Sequence, residues 1–122
     1  MMRFPDTTSL VLGFLAARVN AEVVTEVPAD RPDRFLLIWR NGGPSANRIV
    51  DHPLITVEAW SLDSTDAADL AEAARTALLH ETTAMPLVRR STEITGPYWI
   101  PDPESKTPRY RFSVQLTVRA QR

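Results

Sequence analysis

The chain has 122 residues, 43% hydrophobic and 24% charged, with a formal net charge of -1. That length suits one domain over 1–122, and that apolar content supports a packed core rather than disorder. Near-neutral charge argues against nucleic-acid binding by bulk electrostatics, and the absence of cysteine excludes disulfides and zinc–thiolate sites.

Asp6 and Thr7 can cap a helix running to about Val19, with Leu10, Val11, Phe14 and Leu15 along one side. Gly13 weakens it by about 1 kcal/mol relative to alanine and would permit a close approach. Leu10–Ala17 is too short to span a bilayer, which takes roughly 20 residues. As a secretory leader it would be cut at Val19–Asn20–Ala21, but Asp6 and Arg18 oppose that reading and favour the helix. Glu22–Pro28 reads as a short strand and Ala29–Asp33 as a loop. Phe35–Arg40 is apolar on both faces, as a central strand would be. Asn41–Gly42–Gly43–Pro44 is expected to turn a hairpin, since Asn-Gly is a strong hairpin signal. The partner strand runs from Arg48 to Ser61. Asp51–His52–Pro53 interrupts it as a bulge or an edge, because proline cannot donate to a ladder.

A second helix is expected over Thr65–His80, capped by Asp63 or Ser64. Ala67, Leu70, Ala71, Ala74, Ala77 and Leu78 recur at helical spacing, and the small alanines suit close packing on a sheet. Leu87–Tyr98 reads as a strand broken near Arg90–Glu93. Gly96–Arg109 holds Pro97, Pro101, Pro103 and Pro108 and reads as a stiff loop. From Tyr110 to Arg119 apolar and polar residues alternate, giving a long strand with one apolar and one polar face. The order argues for α+β: a mostly antiparallel sheet of about four or five strands on two helices, with a long proline-rich hairpin loop.

No catalytic constellation emerges. Gly42–Gly43 lacks the lysine and helix of a phosphate loop. His52 and His80 lie in different elements, without metal-ligand spacing; His52 beside Asp51 is the one candidate acid–base pair. Ser45 and Ser113 lack a nucleophile-elbow context, and Asp102 and Glu104 read as solvated loop carboxylates. No cofactor is implied. Arg89–Arg90 and Arg109–Arg111 bracket the proline loop, either as a solvated hairpin base or as a contact ring for a neighbouring subunit. Trp39 and Trp60 fit core positions; Trp99 suits a protein-contact anchor.

Three stretches in order carry a resemblance: Phe35–Gly43, Asp51–Trp60 followed by the alanine-rich helix, and Gly96–Leu116. The set resembles the tail terminator proteins of long-tailed, siphovirus-type bacteriophages. The resemblance implies a structural virion protein at the tail–neck junction, assembled in the host cytoplasm, with no reaction and no membrane. Its members form a homo-oligomer, a hexameric ring that caps the completed tail tube and stops its polymerisation. The tail tube protein and the head–tail connector (head-closure protein) are the implied partners, and DNA passes through the ring without sequence-specific binding. Provisional contact residues are Arg40, Gly42, Gly43, Arg89, Arg90, Trp99, Asp102 and Arg109. Glu58, Arg111, Gln115 and Arg119 would face either the lumen or a subunit joint, with Glu58 offsetting Arg111 and Arg119. The other readings are a different neck component, such as a head-closure or tail-completion protein, or a small dimeric ligand-binding module with a pocket between sheet and helices.

Overall fold

A computed structural model describes residues 2–122. The elements are α1 (Thr7–Ala16), β1 (Glu22–Val24), β2 (Arg34–Arg40), β3 (Val50–Asp51), β4 (Leu54–Ser61), α2 (Ser64–His80), β5 (Val88–Trp99) and β6 (Arg109–Arg119), with a 3-10 turn at Thr82–Ala84. They build one mixed, mostly antiparallel sheet in the order β1-β2-β4-β6-β3, with β5 also paired to β6. Among the described residues only the β1–β2 pair is parallel. This is the expected α+β class. Among the described residues no helix is long and apolar enough to cross a membrane.

Both helices lie on one face. Val11, Phe14 and Leu15 of α1 join Leu70, Ala71, Ala74 and Leu78 of α2 in a core with Leu36, Ile38, Ile55, Val57, Phe112, Val114, Leu116 and Val118. The alternation read in the last strand sorts its side chains accordingly: Phe112, Val114, Leu116 and Val118 are fully buried. Asp6 caps α1 by accepting from the Ser9 backbone N–H at 3.2 Å, and Asp63 caps α2 through the Asp66 N–H at 3.0 Å. The helix α1 stops at Ala16, short of Val19. A Cβ added at Gly13 would meet nothing within 4 Å, so no close approach requires this glycine.

The expected hairpin turn lies elsewhere. Arg40 pairs with Ile55, while Ser45 bridges Asp51, so four residues between these pairs on one strand are matched by three on the other. Asn41–Gly43 therefore forms a bulge. The Leu54 N–H reaches past Asn41 to the Gly42 carbonyl at 3.0 Å. Gly42 and Gly43 have φ of 74° and 95°, and a Cβ on Gly43 would come within 2.2 Å of the His52 carbonyl oxygen. The chain reverses instead at Asn47, whose side-chain oxygen accepts from the N–H groups of Ile49 and Val50 at 2.8 and 2.9 Å.

At Asp51–Pro53 the register does not slip: Asp51 faces Val118 and Leu54 faces Gln115. The break is a missing donor rather than an inserted residue. Leu116 donates to the Pro53 carbonyl at 3.0 Å, and proline has no N–H to return the bond. β5 is not broken either. It keeps its pairing with β6 through three register shifts between Val88 and Tyr98, and it continues through Gly96 and Pro97 to Trp99. Pro97 is tolerated because β5 is an edge strand. Leu87 precedes β5 in a left-handed conformation, φ 68°, which sets the strand start at Val88. The true loop is Ile100–Pro108, closed where Asp102 N–H donates to Thr107 and Lys106 N–H returns to Asp102.

Candidate functional site

The face of the sheet turned away from the helices carries no helix; its central side chains, Phe35, Thr56, Glu58 and Trp60, are nevertheless buried by their neighbours and by the loops that pass over them. Phe35, Leu37 and Trp39 of β2 lie beside Leu54, Thr56, Glu58 and Trp60 of β4, then Arg109, Arg111, Ser113 and Gln115 of β6, by strand register. The apolar part is an aromatic stack, Phe35 on Trp60, with ring centroids 5.2 Å apart. Trp60 is buried as expected; Trp39 is half-buried on this open face rather than in the core.

Glu58 organises the centre. It is 2% exposed, and a buried carboxylate needs partners. Arg111 supplies two hydrogen bonds to one of its oxygens, from Nε at 2.8 Å and Nη2 at 2.6 Å. The Trp60 indole N–H donates to the other oxygen at 3.3 Å, and Arg109 lies 3.6 Å from it. The Arg109 guanidinium also covers the Trp60 ring at 5.0 Å, and Arg111 covers Trp39 at 5.9 Å. Glu58 thus offsets Arg111 and Arg109. Arg119 sits at the other end of β6, opposite Val50, and takes no part.

The network extends into the loop before β6. Arg109 donates from Nε to the Ile100 carbonyl at 2.8 Å and lies 4.0 Å from Asp102. Arg31, from the β1–β2 connection, lies 3.9 Å from Asp102 and 5.5 Å from the Trp60 ring. Asp102 accepts from the Ser105 hydroxyl at 2.6 Å and backbone N–H at 3.0 Å. Those hydrogen bonds, with the Arg109 and Arg31 charges, hold its carboxyl below the usual aspartate value. Nothing in the sequence flagged Arg31: its role depends on where a crossover connection passes.

The expected contact residues divide. Arg40 is tied to the adjoining bulge and to β3, donating to the Gly42 and Gly43 carbonyls at 2.9 Å each and to buried Asp51 at 3.0 Å. Gly42 and Gly43 form the bulge, and Asp102 and Arg109 belong to the network. Arg89 and Arg90 are exposed on β5. Trp99 is 49% exposed and meets Tyr110 edge-on at 5.4 Å. Gln115 donates to the His52 carbonyl at 3.4 Å. Ile94 and Tyr98, which the sequence did not single out, are 51% and 40% exposed on the same edge strand.

Catalytic geometry is not assembled by the remaining candidates. Asp51 pairs with Arg40, while His52 points to the other face, 3.5 Å from the Thr117 hydroxyl. Consecutive strand residues point oppositely, so the expected Asp51–His52 pair does not form. Ser113 pairs with Thr56 at 3.2 Å. Among the described residues no group of three His, Asp or Glu is placed to hold a metal ion.

Residues 3–122 match the family model for the phage tail termination protein. The chain belongs to that family. No curated protein matches it closely enough to name a relative. For a tail termination protein the arrangement is telling: a virion tail component needs surfaces for other tail components, and here one sheet face carries no helix and the edge strand β5 exposes Ile94, Tyr98 and Trp99.

Proposed function

We propose that this chain forms a hexameric ring on the completed tail tube, stops further addition of tube protein, and presents the surface to which the head connector joins. The exposed edge strand β5, beside a sheet face that carries no helix, supports the reading. A domain with helices on one face only, and Ile94, Tyr98 and Trp99 exposed on the adjoining β5, leaves apolar area for neighbouring subunits. In this reading β5 and the Ile100–Pro108 loop meet a subunit or a tail component. Gln115 and Arg119, with the outer side of Arg111, face the lumen or the subunit joint. A lumen of mixed polar groups, its arginines partly neutralised by Glu58, lets DNA pass without gripping its phosphates. The mechanism is geometric and involves no reaction or cofactor: a heterologous contact closes into a ring.

The family match favours a terminator over another neck component. The ligand-module alternative has less support, because neither of two surface concavities lies between sheet and helices. The test is complementation of a terminator-deficient phage. Trp99→Ala is expected to leave the isolated chain folded but to produce tails of uncontrolled length. Tails of normal length with Trp99→Ala would remove β5 from the contact surface. Wild-type protein that neither rings nor caps tubes in electron micrographs would overturn the reading.

A further inference from the structure

The net charge of -1 conceals a separation of charge. Seven arginines are paired with carboxylates: Arg18, Arg31, Arg34, Arg40, Arg75, Arg109 and Arg111. Among the described residues the arginines outside these pairs are Arg3, Arg48, Arg89, Arg90, Arg119 and Arg122. The pairings Arg3 with Gln121, Val50 with Arg119 and Arg90 with Thr117, and the bond from Ala120 N–H to Ile49, bring the first five to one end of β6. That end also holds an open concavity of about 850 Å³ lined by Met2, Arg3, Phe4, Asn47, Arg48 and Ile49. Met2 and Ile49 are 40% and 49% exposed. It is an apolar hollow rimmed by arginine.

The complementary pattern lies across the sheet. Glu22, Glu26, Asp30 and Asp33 fall in β1 and its connection to β2, on the opposite sheet edge, all exposed and in no ion pair among the described residues. Between them Val27 is 43% exposed. The remaining unpaired carboxylates are dispersed: Asp6 and Asp63 cap the helices, Asp69 lies on α2, and Glu104 lies near Lys106 in the loop.

We infer that the Glu22–Asp30 segment of one copy docks into the Met2–Phe4–Ile49 hollow of the next, with Val27 in the hollow and Glu26 and Asp30 against Arg3 and Arg48. The occupant is a second copy of this chain, since the chain itself carries both the arginine-rimmed hollow and the carboxylate-flanked valine. The two surfaces differ and lie on opposite edges of the sheet, so the contact is head-to-tail, the kind that propagates until it closes. Opposite charges fix its register and disfavour like-end contacts. The inference rests on the ring reading above and names its joint.

Charge reversal tests it. E26R/D30R and R3E/R48E alter exposed side chains that make no hydrogen bond or ion pair among the described residues, so both variants are expected to fold, as checked by circular dichroism. Each is expected to weaken self-association about tenfold or more, read by sedimentation and native mass spectrometry. Mixing the two variants, or combining all four changes in one chain, should restore assembly, which mere surface damage would not do. Raising salt should weaken wild-type assembly. Rings from wild type and from both variants alike would overturn this joint and leave the ring reading intact. A wild-type chain that never rings, alone or on tails, would overturn both.

Discussion

The two faces of the sheet are built by different physics. The helix-side face is apolar and closed: Leu36, Ile38, Ile55, Val57, Phe112, Val114 and Leu116 are each fully buried beneath α1 and α2. Its stability comes from area removed from water and close packing. The open face is held by arginines laid over tryptophans and gathered on one carboxylate, Glu58. Its energy is electrostatic and sensitive to single groups, and it leaves polar surface available. One strand, β6, serves both faces because its alternation is strict. A protein that must assemble with others gains from this division: the closed face keeps the fold while the open one is free to meet partners.

The contrast can be broken from the closed side first. Leu116→Ala should cost about 3 kcal/mol or more, with a cavity under α2, measured by denaturant unfolding. On the open face Glu58→Ala should cost about 2 kcal/mol. Removing one partner of a buried ion pair costs more in general, but Arg111 keeps 28% of its side chain in solvent, which lowers the penalty. Equal losses at the two sites would erase the distinction. A sharper test is loop order: hydrogen exchange at Ile100–Pro108 should quicken in Glu58→Ala and stay unchanged in Leu116→Ala, once corrected for global unfolding.

Acid should act on the carboxylates before the core. The Ser61 hydroxyl and Arg34 hold the Asp66 carboxyl below its ordinary value of 3.8, and the Ser105 hydroxyl and neighbouring arginines do the same for Asp102. A depressed folded value contributes stability that is present above the unfolded value of 3.8 and is lost as pH falls through the folded one. The melting temperature should therefore drop below about pH 4, and less steeply in Asp66→Asn. The smallest effect is a gain: Gly13→Ala, in an exposed helix position with open space around it, should stabilise by about 0.5–1 kcal/mol.

Local chemistry that repeats along the chain is legible in the sequence. The alternation from Tyr110 to Arg119, the alanine spacing of α2 and the Asp6 cap each depend on a residue and its near neighbours, and each is realised. The arrangement that implied a tail terminator was likewise a property of order along the chain. Elsewhere local signals misdirected. Asn-Gly-Gly reads as a turn, yet Gly43 is required because the His52–Leu54 backbone presses against it; the real turn rests on the side chain of Asn47. Gly96–Pro97 reads as loop, but β5 accommodates it by shifting register at an edge where a missing N–H offends no partner.

Glu58 shows the limit most clearly. Its place on the polar face of β4 follows from alternation alone, so its sequence fixes which way it points. That it is buried, and that Arg109 and Arg111 rather than Arg119 neutralise it, follows from the register of β4 against β6. Arg31 and Asp102 meet only because two connections pass over the same edge of the open face. Periodicity is set by bonds between neighbours along the backbone, whereas register and loop path are set by contacts between residues far apart in sequence. The first could be read from the chain by itself; only the tertiary structure decided the second.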